Sequence, residues 1–242
     1  YGASPVFSDL SFSLTEGKVY GIVGPNGSGK TTLLRVLCGI AKPTCGEAFL
    51  DGIPYDSFDC LSLARQLSLM PQFSHLPPVT ARDLVERGRY PYLGATRRMT
   101  PEDRAAVERA LIQAGAIDLA HRPLNELSGG ERQRVCLALL LAQDTPYVFL
   151  DEPTTYLDIA QQRAFGEMMQ ELAAQGKALL LVLHDLLLAL RISHKIVVLS
   201  GGTVRFCGTP QELMASPVLG EIYGVEIKSV QTQWGERLFY DF

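Results

Sequence analysis

Long hydrophobic runs are missing from this sequence. The longest uninterrupted apolar stretch runs from Val135 to Ala142, far short of the roughly 18 residues that a helix needs to cross a membrane. A basic excess is missing as well, because 22 Lys and Arg residues stand against 26 Asp and Glu residues, for a net charge of −4. The sequence therefore predicts neither a membrane-spanning chain nor a protein that binds nucleic acid through a positive surface.

Closely spaced cysteine pairs are also missing, which argues against a zinc site or a redox-active C-x-x-C motif. The cysteines are odd in number and scattered along the chain, at Cys38, Cys45, Cys60, Cys136 and Cys207. This pattern favours free thiols in a reducing compartment over a disulfide framework. No secretory signal is recognisable at the start of the sequence, so we expect a cytoplasmic protein.

A glycine-rich stretch at residues 24–32 gives the strongest positive signal. Its sequence, GPNGSGKTT, matches the pattern G-x-x-x-x-G-K-[ST] and lies between a short apolar strand and a helix-forming run. In such a loop, backbone N–H groups and the positive end of the next helix cradle phosphate groups, while the lysine reaches the β- and γ-phosphates. The alternative, a glycine-rich turn with a solvated lysine, is disfavoured by the full spacing and the strand–loop–helix context. We predict a nucleotide triphosphate site with Mg²⁺ on Thr31 and nucleotide contacts from Gly24, Pro25, Asn26, Gly27, Ser28, Gly29, Lys30, Thr31 and Thr32.

The rest of the chain predicts an α/β fold. Apolar strands at 147–151 and 178–183 each precede a helix-forming run, at 158–174 and 185–193. Continuous apolar strands alternating with helices are typical of a mostly parallel sheet covered on both faces. Residues 6–14 alternate between apolar and polar side chains, which predicts a further, half-buried strand.

The middle of the chain differs from this core. Residues 47–52 predict antiparallel strands joined by a tight turn, whereas Thr80 and Thr100 are expected to cap helices. We interpret the whole as one domain, residues 1–242. Its α/β core with an antiparallel β part comprises 1–72 and 144–242, and a helical subdomain is inserted at 73–143.

Two carboxylates, Asp151 and Glu152, end the predicted strand 147–151. Ligands of open α/β sheets bind at the carboxyl ends of the strands, so we expect both side chains to face the phosphate loop. Asp151 would hold Mg²⁺ through water, and Glu152 would polarise an attacking water. A solvated turn is the alternative for an isolated Asp-Glu pair, and the phosphate loop in the same chain disfavours it.

A second glycine-containing stretch, LSGGERQR at residues 127–134, begins another predicted helix. Ser128 and Glu131 have the spacing of a capping box, which is the local interpretation. Two adjacent glycines that expose a helix N-terminus beside a hydroxyl also form an anion site. One chain with one phosphate loop does not need two such sites, so we expect this one to close over a nucleotide held by another copy.

These stretches together resemble the ATPase subunit of an ATP-binding cassette transporter. The match covers nearly the whole chain in order and spacing, and it includes the phosphate loop, Gln72, residues 127–134, the Asp151-Glu152 pair, residues 155–158 and His184. The resemblance implies ATP hydrolysis coupled to transmembrane transport, in a head-to-tail dimer with ATP and Mg²⁺ between one copy's phosphate loop and the other copy's LSGG loop. It also implies two transmembrane permease subunits, an external solute-binding protein as an indirect partner, and a peripheral location on the cytoplasmic face of the cell membrane.

Further site residues follow from the resemblance alone. It implies that Ser128, Gly129 and Gly130 serve the γ-phosphate of the other copy's ATP, and that Asp158 lies in a loop contacting the dimer partner. It further implies that Gln72 belongs to the Mg²⁺ site and the catalytic set and links them to the helical subdomain.

Two more roles, also implied by the resemblance, have common alternatives. His184 would contact the γ-phosphate, although a histidine at a strand end is more often a core or cap residue. Tyr1 would stack on adenine, although a terminal tyrosine is usually frayed.

Within the family, four stretches resemble importer subunits for ferric siderophores, haem and vitamin B12: residues 88–92, 154–158, 184–186 and 222–226. Leu187 departs from the Asn that is frequent there. The alternatives are an exporter, a transporter of another metal chelate, and a non-transport cassette ATPase. The last would carry long coiled-coil insertions or a second cassette, and neither is in the sequence. A further rival is a P-loop kinase or GTPase that acts on a soluble substrate, and the GTPase is disfavoured because the Asn-Lys-x-Asp pattern is absent from the sequence.

Overall fold

The computed structural model describes residues 6–8, 10–70, 77–94, 97–232 and 235–241. Two of the predicted site residues, Tyr1 and Gln72, lie outside the described residues. The chain divides into two compact units, the first comprising Tyr1–Arg35 with Phe165–Phe242 and the second comprising Val36–Ala164. Helices α1 (Lys30–Leu37) and α6 (Ile159–Ala174) contain the two points where the chain passes from one unit to the other.

The first unit is built on four paired strands in the order β6 (Ala178–Val182), β1 (Val19–Val23), β7 (Lys195–Ser200) and β8 (Thr203–Gly208). Strand β1 pairs in parallel with β6 and β7, whereas β7 and β8 form an antiparallel hairpin. Every residue of β1 and β6 is buried, as expected of central strands in a parallel sheet. Each fully buried leucine of β6 stabilises the fold by about 1.5–3 kcal/mol.

Short capped helices complete the first unit. Helix α7 (Leu186–Ile192) begins after Asp185, whose carboxylate accepts a hydrogen bond from the Leu188 N–H at 3.0 Å. Helices α8 (Pro210–Ala215) and α9 (Val218–Tyr223) follow β8. The unit ends in an antiparallel pair, β9 (Glu226–Thr232) and β10 (Gly235–Asp241).

The second unit contains two strand pairs. Strands β2 (Phe49–Leu50) and β3 (Ile53–Pro54) are antiparallel, and β4 (Leu67–Met70) runs parallel to β5 (Tyr147–Asp151). All five residues of β5 are buried, so its carboxyl end, which carries the predicted carboxylates, is fixed by core packing.

Helices dominate the rest of the second unit, as the sequence predicts. After α2 (Cys60–Ala64) come α3 (Ala81–Glu86), α4 (Pro101–Gln113) and α5 (Gly129–Gln143), and α5 packs against both α3 and α4. Each of α3, α4 and α5 starts with a complete capping box, in which a Thr or Ser and an acidic residue three positions later satisfy each other's backbone N–H groups. Short 3-10 helices lie at Tyr55–Ser57, Arg87–Tyr92, Ile117–Leu119 and Leu124–Glu126.

The predicted fold class is confirmed: the paired strands are mostly parallel, with separate antiparallel pairs and helices. The predicted free thiols are also confirmed, since each of the five cysteines is free. No helix in the described part of the chain is both long and apolar enough to cross a membrane. The division into core and helical subdomain stays a prediction.

The strand predicted at residues 6–14 is wrong, because 6–8 and 10–14 are irregular. Alternation of apolar and polar residues reflects which side chains are sheltered from solvent, and here Val6, Leu10, Phe12 and Leu14 are half-buried without a strand ladder. Val6 and Phe7 pack closely on Gly29, and the Ser8 N–H donates to the Gly202 carbonyl at 3.1 Å. The segment is therefore fixed by packing on the phosphate loop and on the β7–β8 turn.

Candidate functional site

The phosphate loop joins β1 to α1 in a conformation that requires glycine. Gly27 and Gly29 have φ angles of +78° and +94°, in the left-handed region that side chains disfavour. A Cβ on Gly24 would lie 2.2 Å from the Leu199 carbonyl oxygen. The loop is therefore tightly folded against β7, and its backbone is open to a close approach by a ligand at Gly27, where a Cβ would meet nothing within 4 Å.

Two polar side chains are buried in this loop. Lys30 is only 6% exposed, and its ammonium donates to the carbonyl oxygens of Gly24 at 2.8 Å and Pro25 at 3.0 Å. The Ser28 hydroxyl is buried and has no hydrogen-bond partner within the described part of the chain. An unsatisfied buried hydroxyl costs about 1–3 kcal/mol. A hydroxyl and an ammonium in one loop at a helix N-terminus fit the oxygens of a phosphate group.

The remaining loop residues lie nearer the solvent. Asn26 and Thr31 are exposed, and Pro25 and Thr32 are half-buried. Thr31 stands in the first turn of α1, where the positive end of the helix favours anions. The predicted set therefore forms one continuous segment in the first unit.

In the second unit, β5 ends with a buried Asp151 followed by a half-buried Glu152. Glu152 has φ +53°, a left-handed conformation that is uncommon for a residue with a side chain. A turn follows, because the Thr155 N–H and hydroxyl both donate to the Glu152 carbonyl, at 3.5 and 3.1 Å. The backbone is strained where the sequence predicts the catalytic carboxylate, and such strain is typical of functional sites.

The LSGG loop of the same unit is solvent-exposed at Ser128 and Gly129. The Ser128 hydroxyl donates to a Glu131 carboxylate oxygen at 2.8 Å, and the Ser128 backbone N–H donates to the same oxygen at 2.7 Å. These two hydrogen bonds, the backbone one foremost, lower the pKa of Glu131 below its ordinary value. The capping box is thus confirmed, and the Ser128 hydroxyl is held at the N-terminus of α5.

Comparison with known proteins decides the family. The family model described as ABC transporter matches residues 7–155, which is more than half of the chain. The chain belongs to this family.

Full-length relatives agree. The iron(3+)-hydroxamate import ATP-binding protein FhuC of Bacillus subtilis (strain 168) is 37% identical over 232 residues, which cover 95% of this chain and 86% of that protein. The hemin import ATP-binding protein HmuV of Pseudomonas entomophila (strain L48) is 38% identical over 232 residues, which cover 93% and 89%. The dimeric structure of a post-hydrolysis state of the ATP-binding cassette MJ0796, bound to ADP and Pi, matches with a TM-score of 0.76 at 30% identity over 85% of this chain and 90% of that one. The protein is therefore an ATP-binding cassette ATPase, which confirms the predicted family, enzyme class and nucleotide.

Two other predicted residues of the cassette lie at exposed element starts. His184 is exposed and follows β6, directly before the cap of α7. Asp158 is exposed, and its carboxylate accepts a hydrogen bond from the Gln161 N–H at 2.8 Å at the start of α6.

Sequence reasoning missed one contact of the cassette. The side-chain amide of Gln133, on α5, donates to the Pro153 carbonyl next to Glu152. No sequence pattern signals this pair, because 20 positions separate the residues and only the packing of α5 on the loop after β5 brings them together.

Proposed function

We propose that this cassette is the ATP-hydrolysing subunit of an importer of iron chelates, with a ferric siderophore or haem as cargo and vitamin B12 as the related alternative. The observation that carries the proposal is the contrast between one complete phosphate loop and a second, exposed glycine loop that would serve another copy. Identities of 37% and 38% to an iron-hydroxamate and a hemin import protein, over more than nine-tenths of this chain, support the cargo class.

The catalytic roles follow the chemistry of the side chains. Lys30 binds the β- and γ-phosphates, and Glu152 orients the attacking water. His184 contacts the γ-phosphate, and Tyr1 stacks on adenine. Phosphoryl transfer needs little covalent chemistry from the protein, so positioning and charge compensation account for the expected rate enhancement.

A magnesium ion would be held by a small number of oxygen donors. The described residues contain no group of three or more His, Cys, Asp or Glu side chains suited to a metal. Mg²⁺ is usually bound through one or two carboxylates together with phosphates and water, so the Asp151 carboxylate, through water, would hold it with the Thr31 hydroxyl and the Gln72 amide. Bound there, it would compensate negative charge on the phosphate oxygens.

A second copy completes each site in this proposal. Ser128, Gly129 and Gly130 bind the γ-phosphate of ATP held by the phosphate loop of the other copy, and Asp158 contacts that copy. The Ser128 hydroxyl would then exchange its bond to Glu131 for one to a phosphate oxygen. ATP therefore stabilises the closed dimer, and hydrolysis releases it, because only contacts to the γ-phosphate distinguish the two states.

The dimer acts on two permease subunits at the cytoplasmic face of the membrane, and an external solute-binding protein delivers the cargo. Closure of the dimer changes the exposure of the permease path. The cargo itself does not touch this chain, so its identity has to come from transport measurements.

A trapped dimer tests the ATPase part of the proposal. Glu152→Gln should bind ATP without hydrolysing it and elute from gel filtration as a dimer when ATP and Mg²⁺ are present, and as a monomer without them. A monomer at saturating ATP would contradict the shared site.

Uptake measurements test the transport part. Cells that lack this subunit should lose the uptake of one labelled solute among ferric siderophores, haem and vitamin B12, and wild type but not Glu152→Gln should restore it. Normal uptake of every solute would contradict the proposed cargo class but not the ATPase activity.

A further inference from the structure

The backbone at Glu152 is held in a conformation that its own sequence opposes. Its φ of +53° is left-handed, and the next residue, Pro153, favours an extended conformation for the residue before it. A non-glycine residue in such a region is unfavourable and persists only when its surroundings hold it there. The position of the carboxylate therefore depends on contacts around the loop.

Among the described residues, contacts from within the loop and from α5 both hold it in place. From within, Thr155 donates twice to the Glu152 carbonyl. From outside, the Gln133 amide of α5 donates to the carbonyl of Pro153, which is a buried residue. The Gln133 bond restrains the peptide between Pro153 and Thr154, one position beyond Glu152, and a buried carbonyl left without a partner would favour a shifted loop.

The start of α5 also packs on the continuation of the same loop. A Cβ on Gly129 would lie 3.2 Å from the Tyr156 side chain, and a Cβ on Gly130 would lie 3.3 Å from the Gln161 amide oxygen. The Gln161 amide oxygen in turn accepts a hydrogen bond from the Asp158 N–H at 3.2 Å. The first two turns of α5 are therefore packed directly against this loop, all within the second unit.

We propose that Gln133 is a positioning residue for ATP hydrolysis, because its bond to the Pro153 carbonyl holds the Glu152 carboxylate in place to orient water. The inference rests on the proposed role of Glu152. Gln133 lies five residues after Ser128, about 7.5 Å along the helix. The helix that would contact the other copy's ATP thus also holds the catalytic carboxylate of its own copy.

The experiment compares matched variants of two glutamines on α5. Gln133→Met keeps the length of the side chain and removes the donor, whereas Gln133→Lys keeps an N–H donor. Gln143 is the control, because its amide also donates to backbone carbonyls, those of Ala64 at 2.7 Å and Leu67 at 3.1 Å, away from the loop. Gln143→Met should lose comparable hydrogen bonding without touching Glu152.

We expect kcat to fall while the KM for ATP stays nearly unchanged. With ATP and Mg²⁺, Gln133→Met should lower kcat about tenfold or more, because small misplacements of reacting groups are costly, and leave the KM for ATP within about twofold. Gln133→Lys should recover most of the rate, and Gln143→Met should keep the wild-type kcat. Rates are compared at a temperature well below the Tm of every variant.

Two results would overturn the inference. One is a Gln133→Met kcat equal to that of Gln143→Met while wild type is active and Glu152→Gln is not, which would leave the proposed function intact. The other is loss of the ATP-trapped dimer when Gln133→Met is added to Glu152→Gln, because Gln133 would then act on closure. A wild type that does not hydrolyse ATP would instead contradict the proposed function itself.

Discussion

The phosphate loop and the LSGG loop both place glycines at a helix N-terminus, yet they are built in opposite ways. The phosphate loop is left-handed at Gly27 and Gly29 and crowded at Gly24, and it buries a lysine and a serine hydroxyl that has no hydrogen-bond partner among the described residues. The LSGG loop is exposed, and its serine is satisfied by a capping box within the chain. Neither of its two glycines is among those with a positive φ.

The difference separates a site that needs a ligand to satisfy it from a surface that is stable without one. A bound phosphate would supply the missing hydrogen-bond partner of the buried hydroxyl, and it would therefore stabilise the phosphate loop already in the monomer. A loop whose polar groups are already paired can exchange those bonds for a phosphate only when another molecule brings one. We therefore expect variants of the two loops to fail at different steps.

Lys30→Met should have the largest effect, since it removes the charge that compensates the β- and γ-phosphates. Hydrolysis should fall about 10³-fold, and the monomer should lose ATP affinity in equilibrium binding. Monomer affinity equal to that of wild type would mean that the phosphate loop is not where ATP first binds.

Ser128→Ala should come next, with hydrolysis about 10²-fold lower. ATP affinity of the monomer should stay at the wild-type value, while the ATP-trapped dimer is lost in the Glu152→Gln background. Loss of the cap should also cost about 1 kcal/mol of stability in denaturant titration. If the double variant formed the ATP-trapped dimer to the same extent as Glu152→Gln alone, the Ser128 hydroxyl would not contact ATP.

Replacing a glycine by alanine should destabilise the fold more in the phosphate loop than in the LSGG loop. A Cβ on Gly24 would meet a backbone oxygen of β7 at 2.2 Å, whereas on Gly130 it would meet the flexible end of a glutamine at 3.3 Å. Gly24→Ala should therefore destabilise the fold by about 1–3 kcal/mol or more, and Gly130→Ala by much less, as measured by urea unfolding. Equal losses would contradict the difference in crowding.

Glu131→Gln should have the smallest effect, and unlike the other variants it should strengthen ATP-dependent dimerisation. Gln at this position keeps the capping box and removes a negative charge from the proposed phosphate contact. The ATP concentration needed for half-maximal dimerisation should fall about two- to fivefold, most clearly at low salt. Weaker dimerisation would mean that the carboxylate supports the contact.

The sequence predicted local features well and tertiary ones poorly. The phosphate loop, the caps at Thr80, Thr100 and Ser128, and the buried strands follow from short-range patterns, and the structure has them. The strand at residues 6–14 failed because period-two burial also arises when a segment packs on a loop. The left-handed Glu152 and its link to Gln133 depend on how α5 packs on the loop after β5, which no local pattern encodes.

Mixing two inactive variants tests the central claim most directly, namely that each ATP is bound by the phosphate loop of one copy and the LSGG loop of another. Chains with Lys30→Met and chains with Ser128→Ala are each expected to be inactive alone. A mixed dimer pairs the intact LSGG loop of the first with the intact phosphate loop of the second, so ATP hydrolysis should reappear on mixing. A mixture no more active than its components would contradict the account, because both loops would then serve the same copy.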